Sequence, residues 1–428
     1  MLDWLAEFLS VGADGGVTSN IGIVIAVAGA MTLIGLMLVN AIFSVWLERK
    51  VAGRIQDRLG PTRVGGKFGW LQTLADGMKL LVKEDTIPAS ADQFLFRLGP
   101  YIALLGSFLA FIVLPFGDGI VAYEMNIGLF FMLAVMSSEV FGIILIGYGS
   151  GSKWSLFGGM REAAQMVSYE IPMGMCALVP VIVAGSMNLG VVAMQQKGLW
   201  NWYLFHDPFT FCAFWTYFTC AMASCKRAPF DLAEAESELV AGFHTEYSGF
   251  RWLVIFMAEY GSMFAVSGIA NIMFLGGWSL GLPWDLTEMF SWVFGTAQFG
   301  EWGLAEVGWG LANGINIGVF ILKCWILVFV MMWVRWTLPR LRIDQVMMLC
   351  LKYLIPISCV LLAGVSVWTL YMPHLPQLIV QYVIFGLTMA GAAVVVYQLW
   401  SWSSLLPGSG MPGMWRTTGL PGYQGAAK

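Results

Sequence analysis

Charge is scarce in this sequence. Only 11% of its 428 residues are Asp, Glu, Lys or Arg, while 58% are hydrophobic and the mean hydropathy is +0.75. A soluble domain carries about 25% charged residues, so the deficit excludes an ordinary soluble protein. Apolar runs of about 18 residues or more read as membrane-spanning helices. They are too long for the strands of a closed barrel, the other architecture that satisfies its backbone in lipid. Histidine is also scarce, with three isolated residues. The seven cysteines (Cys176, Cys212, Cys220, Cys225, Cys324, Cys350 and Cys359) are scattered, mostly in apolar runs, without Cys-x-x-Cys or Cys/His spacing. No iron–sulfur cluster, haem or zinc is expected on this chain, and any redox centre is expected on a partner. Basic residues are missing from Met1 to Asn20, which holds Asp3, Glu7 and Asp14. The positive segment of a cleaved secretion signal is therefore lacking.

What is present is a series of apolar runs: Ile21–Trp46, Phe94–Phe116, Ile127–Tyr148, Gln165–Ala184, Pro208–Ser224, Arg251–Leu275, Asn313–Trp336, Val346–Leu370 and Leu378–Trp400. The expected fold class is all-α, a polytopic integral membrane protein of about nine transmembrane helices. Eight form a core, one is a C-terminal extra, and the fifth is the shortest. Residues 1–400 read as a single transmembrane domain. Residues 401–428, with nine Gly or Pro, read as an irregular tail. Loops 48–97, 149–161, 225–251 and 335–342 hold seventeen of the 22 Lys and Arg residues. The alternate loops 117–126, 187–207, 276–312 and 372–377 hold only Lys197. That asymmetry marks the first set as cytoplasmic, with the N-terminus outside and the C-terminus inside. In loop 276–312, Trp278, Trp284, Trp292, Trp302 and Trp309 suit the interfacial belt and a short helix lying on the membrane.

Two loops are polar islands. From Lys226 to Glu246, Asp231, Glu234, Glu236, Glu238 and Glu246 put five carboxylates into sixteen residues. Asp231 with Glu234 has capping-box spacing. In a helix, Asp231, Glu234 and Glu238 fall on one face and Glu236 on another. Singly, each acid suits a solvated, capped loop helix. As a set they repel one another, and the cluster reads as a proton store between two spans. In loop 48–97, Gly60-Pro61 and Gly65-Gly66 are turn signals. Trp70–Glu84 is amphipathic, with Asp76, Lys79 and Lys83 opposite its apolar side. It reads either as a surface helix with a weak Asp–Lys pair or as a helix at a headgroup or substrate mouth.

Ionisable residues also fall within the runs: Glu139 in the third, Glu170 in the fourth, Glu259 in the sixth and Lys323 in the seventh. Each costs about 2.5–3.5 kcal/mol at a span centre if unpaired. Lys323 paired with Glu139 or Glu259 is the structural reading. Together they argue for a polar axis inside the bundle and a proton path. Pro172 frees a backbone carbonyl near Ser168, where water or a hydroxyl commonly sits. That makes Glu170 a stronger proton-path candidate than Glu139.

Several motifs coincide in order. They are Glu48-Arg49-Lys50, Gln56-Asp57-Arg58-Leu59-Gly60-Pro61-Thr62-Arg63-Val64-Gly65, Leu71-Gln72, Ala75-Asp76 and Lys79. Ser168-Tyr169-Glu170-Ile171-Pro172 follows, then Arg227-Ala228-Pro229-Phe230-Asp231-Leu232 with Glu234, Glu236 and Glu238. Glu246-Tyr247-Ser248-Gly249, Ala258-Glu259-Tyr260 and Leu338-Pro339-Arg340, with Arg342 and Asp344-Gln345, complete the set. In these motifs, which span about Val39 to Pro356, the chain resembles the quinone-site membrane subunits of respiratory complex I.

The resemblance implies a membrane subunit of a proton-translocating NADH:quinone oxidoreductase in a bacterial inner membrane. Such a chain has no catalytic activity of its own. It forms the membrane side of a quinone chamber, with quinone as substrate and with flavin and iron–sulfur clusters on partner subunits. Expected partners are peripheral-arm quinone-site subunits, antiporter-like membrane subunits and the bilayer, with no nucleic acid. The resemblance places Arg49, Asp76 and Lys79 by the quinone passage, with Glu48, Arg58, Arg63, Arg227 and Phe230 as further chamber candidates. It assigns Glu139, Glu170, Asp231, Glu234, Glu236, Glu238, Glu246 and Glu259 to a charged path, which Lys323 joins by its place within a span. Some relatives carry a further acid just before the Arg-x-Pro-Phe motif, where this chain has Ser224 and Cys225. Loop 276–312, the ninth run and the tail go beyond the shorter family pattern. One rival is a membrane subunit of an energy-converting hydrogenase or related dehydrogenase, disfavoured by the close Gln-Asp-Arg-Leu-Gly-Pro and Phe-Asp-Leu-Ala-Glu-Ala-Glu matches. The other is a stand-alone proton-coupled transporter, disfavoured by the lack of inverted repeats.

Overall fold

A computed structural model describes residues 20–232, 240–281 and 304–405. Glu234, Glu236, Glu238, most of the Trp-rich loop and the tail from 406 lie outside the described residues. The described chain is helical in the order α1 (Asn20–Ile55), α2 (Gln72–Val82), α3 (Gln93–Val113), α4 (Gly128–Gly149), α5 (Lys153–Ala184), α6 (Leu189–Gln195), α7 (Tyr203–His206) and α8 (Pro208–Ser224). Then come α9 (Gly249–Phe274), α10 (Leu304–Thr337), α11 (Ile343–Tyr371) and α12 (His374–Leu405). Eight of these helices are long and apolar enough to cross a membrane. The 17-residue α8 falls just short of that length. It still spans about 25 Å at 1.5 Å per residue, and it packs inside the same bundle between α5 and α9.

Within lipid, helices associate through close packing and small residues rather than by escaping water. The α3/α4 contact is built that way. A Cβ on Gly142 would lie 2.5 Å from the Ala103 nitrogen, so only glycine lets the two backbones meet. The axis of the bundle is α9, with 83% of its most apolar window buried. By contrast, α12 has 6% of its window buried and lies on the periphery. It is held to the loop ahead of α8, where Gln381 Nε2 donates to the Trp200 carbonyl at 2.8 Å and Phe385 packs edge-on against Phe205. Local chemistry sets the ends. Asp207 caps α8, accepting from the Thr210 N–H at 2.7 Å with Pro208 in the first turn.

Two helices run further than the hydropathy pattern predicts. Hydropathy ends the first run at Trp46, but α1 continues to Ile55 through Glu48-Arg49-Lys50. It starts the fourth at Gln165, but α5 begins at Lys153, so Arg161 and Glu162 lie within a helix rather than in a loop. In both cases charged residues find partners from other elements, so the helix passes through them. At the Pro172 break, the Ser168 carbonyl accepts from Cys350 Sγ at 3.1 Å. Cys350 lies in a π-helical segment of α11, Leu349–Leu354, and Tyr169 Oη donates to the nearby Val346 carbonyl at 2.8 Å.

Candidate functional site

A cavity of about 580 Å³ opens between α1, α2 and the start of α9. Its walls are mainly apolar, from Leu38, Ile42 and Val45 of α1, Leu74, Met78 and Leu81 of α2, and Trp252, Phe256 and Met257 of α9. Arg49, Asp76, Lys79 and Lys83 bring charge to it. Arg49 and Asp76 form an ion pair that ties α1 to α2, and Gln72 Nε2 donates to the other Asp76 oxygen at 3.3 Å. Tyr247 also lines the space, its hydroxyl donating to the Phe96 carbonyl at 3.2 Å. Burial raises the Tyr247 phenol pKa, so it stays a neutral donor near neutral pH. The apolar face of α2 is left partly open, with Met78 and Leu81 about 60% exposed. A long apolar slot with charge along one side suits an amphiphile with a polar head and a greasy tail.

Behind Arg49 begins a buried chain of ion pairs. Glu48 accepts hydrogen bonds from Tyr260 Oη and from Arg335 of α10. Arg227 Nη1 lies 3.5 Å from Glu48, and its Nε lies 3.2 Å from Glu259 of α9. The Arg227 guanidinium also sits over the Tyr260 ring, 4.6 Å from its centroid. Next in sequence, Lys226 Nζ donates to Glu139 of α4 at 3.0 Å and lies 3.6 Å from Glu162 of α5. Glu139, Glu162, Lys226 and Arg227 are all at most 6% exposed. The chain therefore crosses the bundle from the cavity wall to α4 and α5. Burial alone would depress the Lys226 ammonium pKa. Glu139, Glu162 and Glu259 around it outweigh that and hold it above the usual lysine range. Buried ion pairs of this kind are often no more stabilising than the apolar packing that would replace them.

The structure brings some expected residues together and separates others. Arg49, Asp76 and Lys79 line the cavity. Glu48 and Arg227 do not line it but begin the charged chain beside it, and Glu139 and Glu259 belong to that chain. Glu170 is half-buried and accepts from Ser137 Oγ at 2.9 Å. Asp231 pairs with Arg340 at 3.1 Å. Glu246 is half-buried in the turn before α9.

Other expected residues lie away from this cavity, and one suggested pairing is corrected. Arg58 and Arg63 are exposed on the loop after α1, and neither lines the cavity. Phe230 is a core residue, 3% exposed against Tyr169, with its carbonyl taken by Gln165 Nε2 at 2.8 Å. Lys323 pairs with neither Glu139 nor Glu259. Its ammonium donates to the carbonyls of Leu275, Gly277 and Ser279 at 2.7, 3.1 and 2.7 Å, and it lies over Trp202. Those carbonyls close the C-terminal end of α9, where the helix dipole favours a cation.

Sequence reasoning misses Lys226 and Glu162. Lys226 sits in a loop that counts there only for its charge, and Glu162 sits just ahead of an apolar run. The available signal is the Lys226-Arg227 doublet, two adjacent cations next to spans that hold unmatched acids.

Fold and site together define a polytopic helical membrane protein with an amphiphile-sized cavity at one end of a buried chain of ion pairs. The pattern of the family described as NADH dehydrogenase matches residues 28–366. The chain is 45% identical over 352 residues to the H subunit of the NADH-quinone oxidoreductase of Chlorobium luteolum, covering 81% of this chain and 90% of that one. It is 43% identical over 371 residues to the H subunit of Anaeromyxobacter dehalogenans, covering 85% and 87%. It is also 43% identical over 339 residues to the H subunit of Geobacillus kaustophilus, covering 78% and 92%. The chain belongs to the NADH dehydrogenase family. The family match ends before α12, in keeping with the peripheral place of that helix.

Proposed function

We propose that this chain is the quinone-site membrane subunit of a proton-translocating NADH:quinone oxidoreductase. It forms the membrane side of the quinone chamber and couples quinone reduction to proton movement. The observation that carries the reading is the adjacency of the α1/α2/α9 cavity to the buried charge chain: Arg49 lines the first, and Glu48, the next residue back, begins the second. Quinone is the substrate, its tail lying against Leu38, Met78, Leu81 and Phe256 and its head near Arg49, Asp76 and Lys79. Flavin and iron–sulfur clusters are carried by peripheral-arm partners, and antiporter-like subunits take up the charge signal. A change in charge at the quinone head is felt at Glu48 through Arg49 and passes through Arg227 and Lys226 to Glu139 as a shift of ion-pair partners and protons. Asp231 and Glu246, with the acids at 234, 236 and 238 between them in sequence, complete the charged path toward the cytoplasmic side. The nine-span topology, with the basic loops cytoplasmic and the N-terminus outside, sets the chamber on the cytoplasmic face of a bacterial inner membrane.

The test is to fill the cavity. Met78→Trp with Leu81→Trp should lower NADH:quinone turnover of the purified complex at least about tenfold. Oxidation of NADH by a water-soluble artificial acceptor should be unchanged. Equal loss of both activities, or of neither, refutes the assignment.

A further inference from the structure

Lys323 stands within the apolar run of α10, yet its ammonium is met by three backbone carbonyls and a ring, not by a carboxylate. A lysine has three N–H donors. The carbonyls of Leu275, Gly277 and Ser279 match them one to one, at 2.7, 3.1 and 2.7 Å. The Trp202 ring, its centroid 4.4 Å from Nζ, closes a further side. Left-handed backbone at Gly276 and Gly277, with φ of +73° and +54°, brings these alternate carbonyls to one point. The Gly276 carbonyl is turned aside and accepts from the Ser279 N–H at 2.9 Å. A Cβ on Gly276 would lie 2.5 Å from Trp202 Nε1, so glycine is also what lets the indole close on the loop.

The walls of this box are held by a residue other than Lys323. Gln196 is fully buried, and its Oε1 accepts from the Gly276 N–H at 3.1 Å and from the Tyr203 N–H at 3.2 Å. Its Nε2 donates to the Ile272 carbonyl at 2.7 Å. Gln196 thereby joins the loop after α9 to the segment that carries Trp202. The Leu199 N–H adds a second tie, donating to the Gly281 carbonyl at 2.9 Å. Carbonyl dipoles, a ring face and the end of a helix dipole suit a single positive charge, whereas a divalent ion commonly recruits carboxylates as well. We infer that the end of α9 is a binding site for a primary ammonium, formed by the Leu275, Gly277 and Ser279 carbonyls beside Trp202, and that Lys323 is its tethered occupant. The filled site pins the end of α9 remote from the cavity to α10, while Arg335 further along α10 pairs with Glu48 of α1. Because the walls are preorganised without the lysine, the site survives its removal and takes a free ammonium of the same shape.

The inference is independent of the quinone reading, because its test is the melting of the purified complex rather than its turnover. Lys323→Ala deletes the atoms that n-propylammonium can replace. In choline chloride this variant should melt several degrees below the unsubstituted complex. n-Propylammonium chloride at the same ionic strength should restore at least half of the loss, with the concentration dependence of binding to a single site. 1-Propanol, which has the same chain without the charge, should restore none of it. The unsubstituted complex, with its site already filled, should not respond to n-propylammonium, and neither should Lys323→Met, whose stem occupies the approach. The inference is overturned if n-propylammonium restores nothing, if choline or 1-propanol does as well, or if Lys323→Ala melts with the unsubstituted complex. Should Lys323→Ala fail to assemble, Lys323→Gln decides, since it offers an uncharged donor. Melting at the unsubstituted level in that variant overturns the requirement for an ammonium, and lowered melting upholds it.

Discussion

Removing the ammonium of Lys226 tests how the buried charges are held. Lys226→Met keeps the length and apolar stem of the side chain but removes the ammonium 3.0 Å from Glu139 and 3.6 Å from Glu162, carboxylates at 2% and 1% exposure. At an effective dielectric of about 20, unit charges roughly 3 Å apart interact by about 5 kcal/mol. Breaking a buried pair by removing one partner costs about 3–5 kcal/mol in practice. At about 1.4 kcal/mol per tenfold change, the ratio of correctly folded to unfolded subunit should fall by a hundredfold or more, which lowers the melting temperature and, where stability is marginal, the amount assembled. The assay is the amount of assembled complex in membranes, with the melting temperature of what is recovered. The control is Lys226→Met combined with Glu139→Gln and Glu162→Gln. That variant has no buried charge left in the triad and should regain most of the lost assembly, although not coupled turnover. Assembly and melting unchanged in Lys226→Met would show that solvent reaches the triad, and the account of a closed ion-pair chain would fall.

Other expectations concern the cavity, the proline break and pH. Asp76→Asn removes the carboxylate that pairs with Arg49 and should impair quinone turnover more than artificial-acceptor activity; equal loss of both would indicate misassembly. Glu170→Gln should abolish coupled proton translocation and strongly slow quinone reduction while assembly survives, and near-normal turnover would count against a relay role. The pKa of Lys226 is raised in the folded protein. Its stabilising contribution should therefore be complete below the ordinary lysine pKa and lost only as pH rises through the still higher folded value. The melting difference between the unsubstituted complex and Lys226→Met should thus persist from neutral pH into moderate alkali, measured by thermal scans. A difference that collapses just above neutrality would contradict this.

The Lys323 result shows where one-dimensional reasoning stops. A lysine inside an apolar run signals a partner but does not name it, and carboxylates on other spans are the obvious choice. The protein supplies backbone carbonyls at the end of α9 instead, invisible in sequence because every residue has one. Glu162 shows the reverse error. Hydropathy ends a span at the first charged residues, but a helix continues wherever those charges find partners.

Composition and run length determined the membrane class and the all-helical fold, because lipid leaves a long apolar segment only one way to satisfy its backbone. The motif order determined the family, and residue spacing put Asp76 and Lys79 on one side of α2. Only the tertiary structure decided which cation meets which acid. Those partners come from helices up to hundreds of residues apart in the chain, as Glu48 and Arg335 do, and ion pairing depends on distances of a few ångströms that no local pattern encodes.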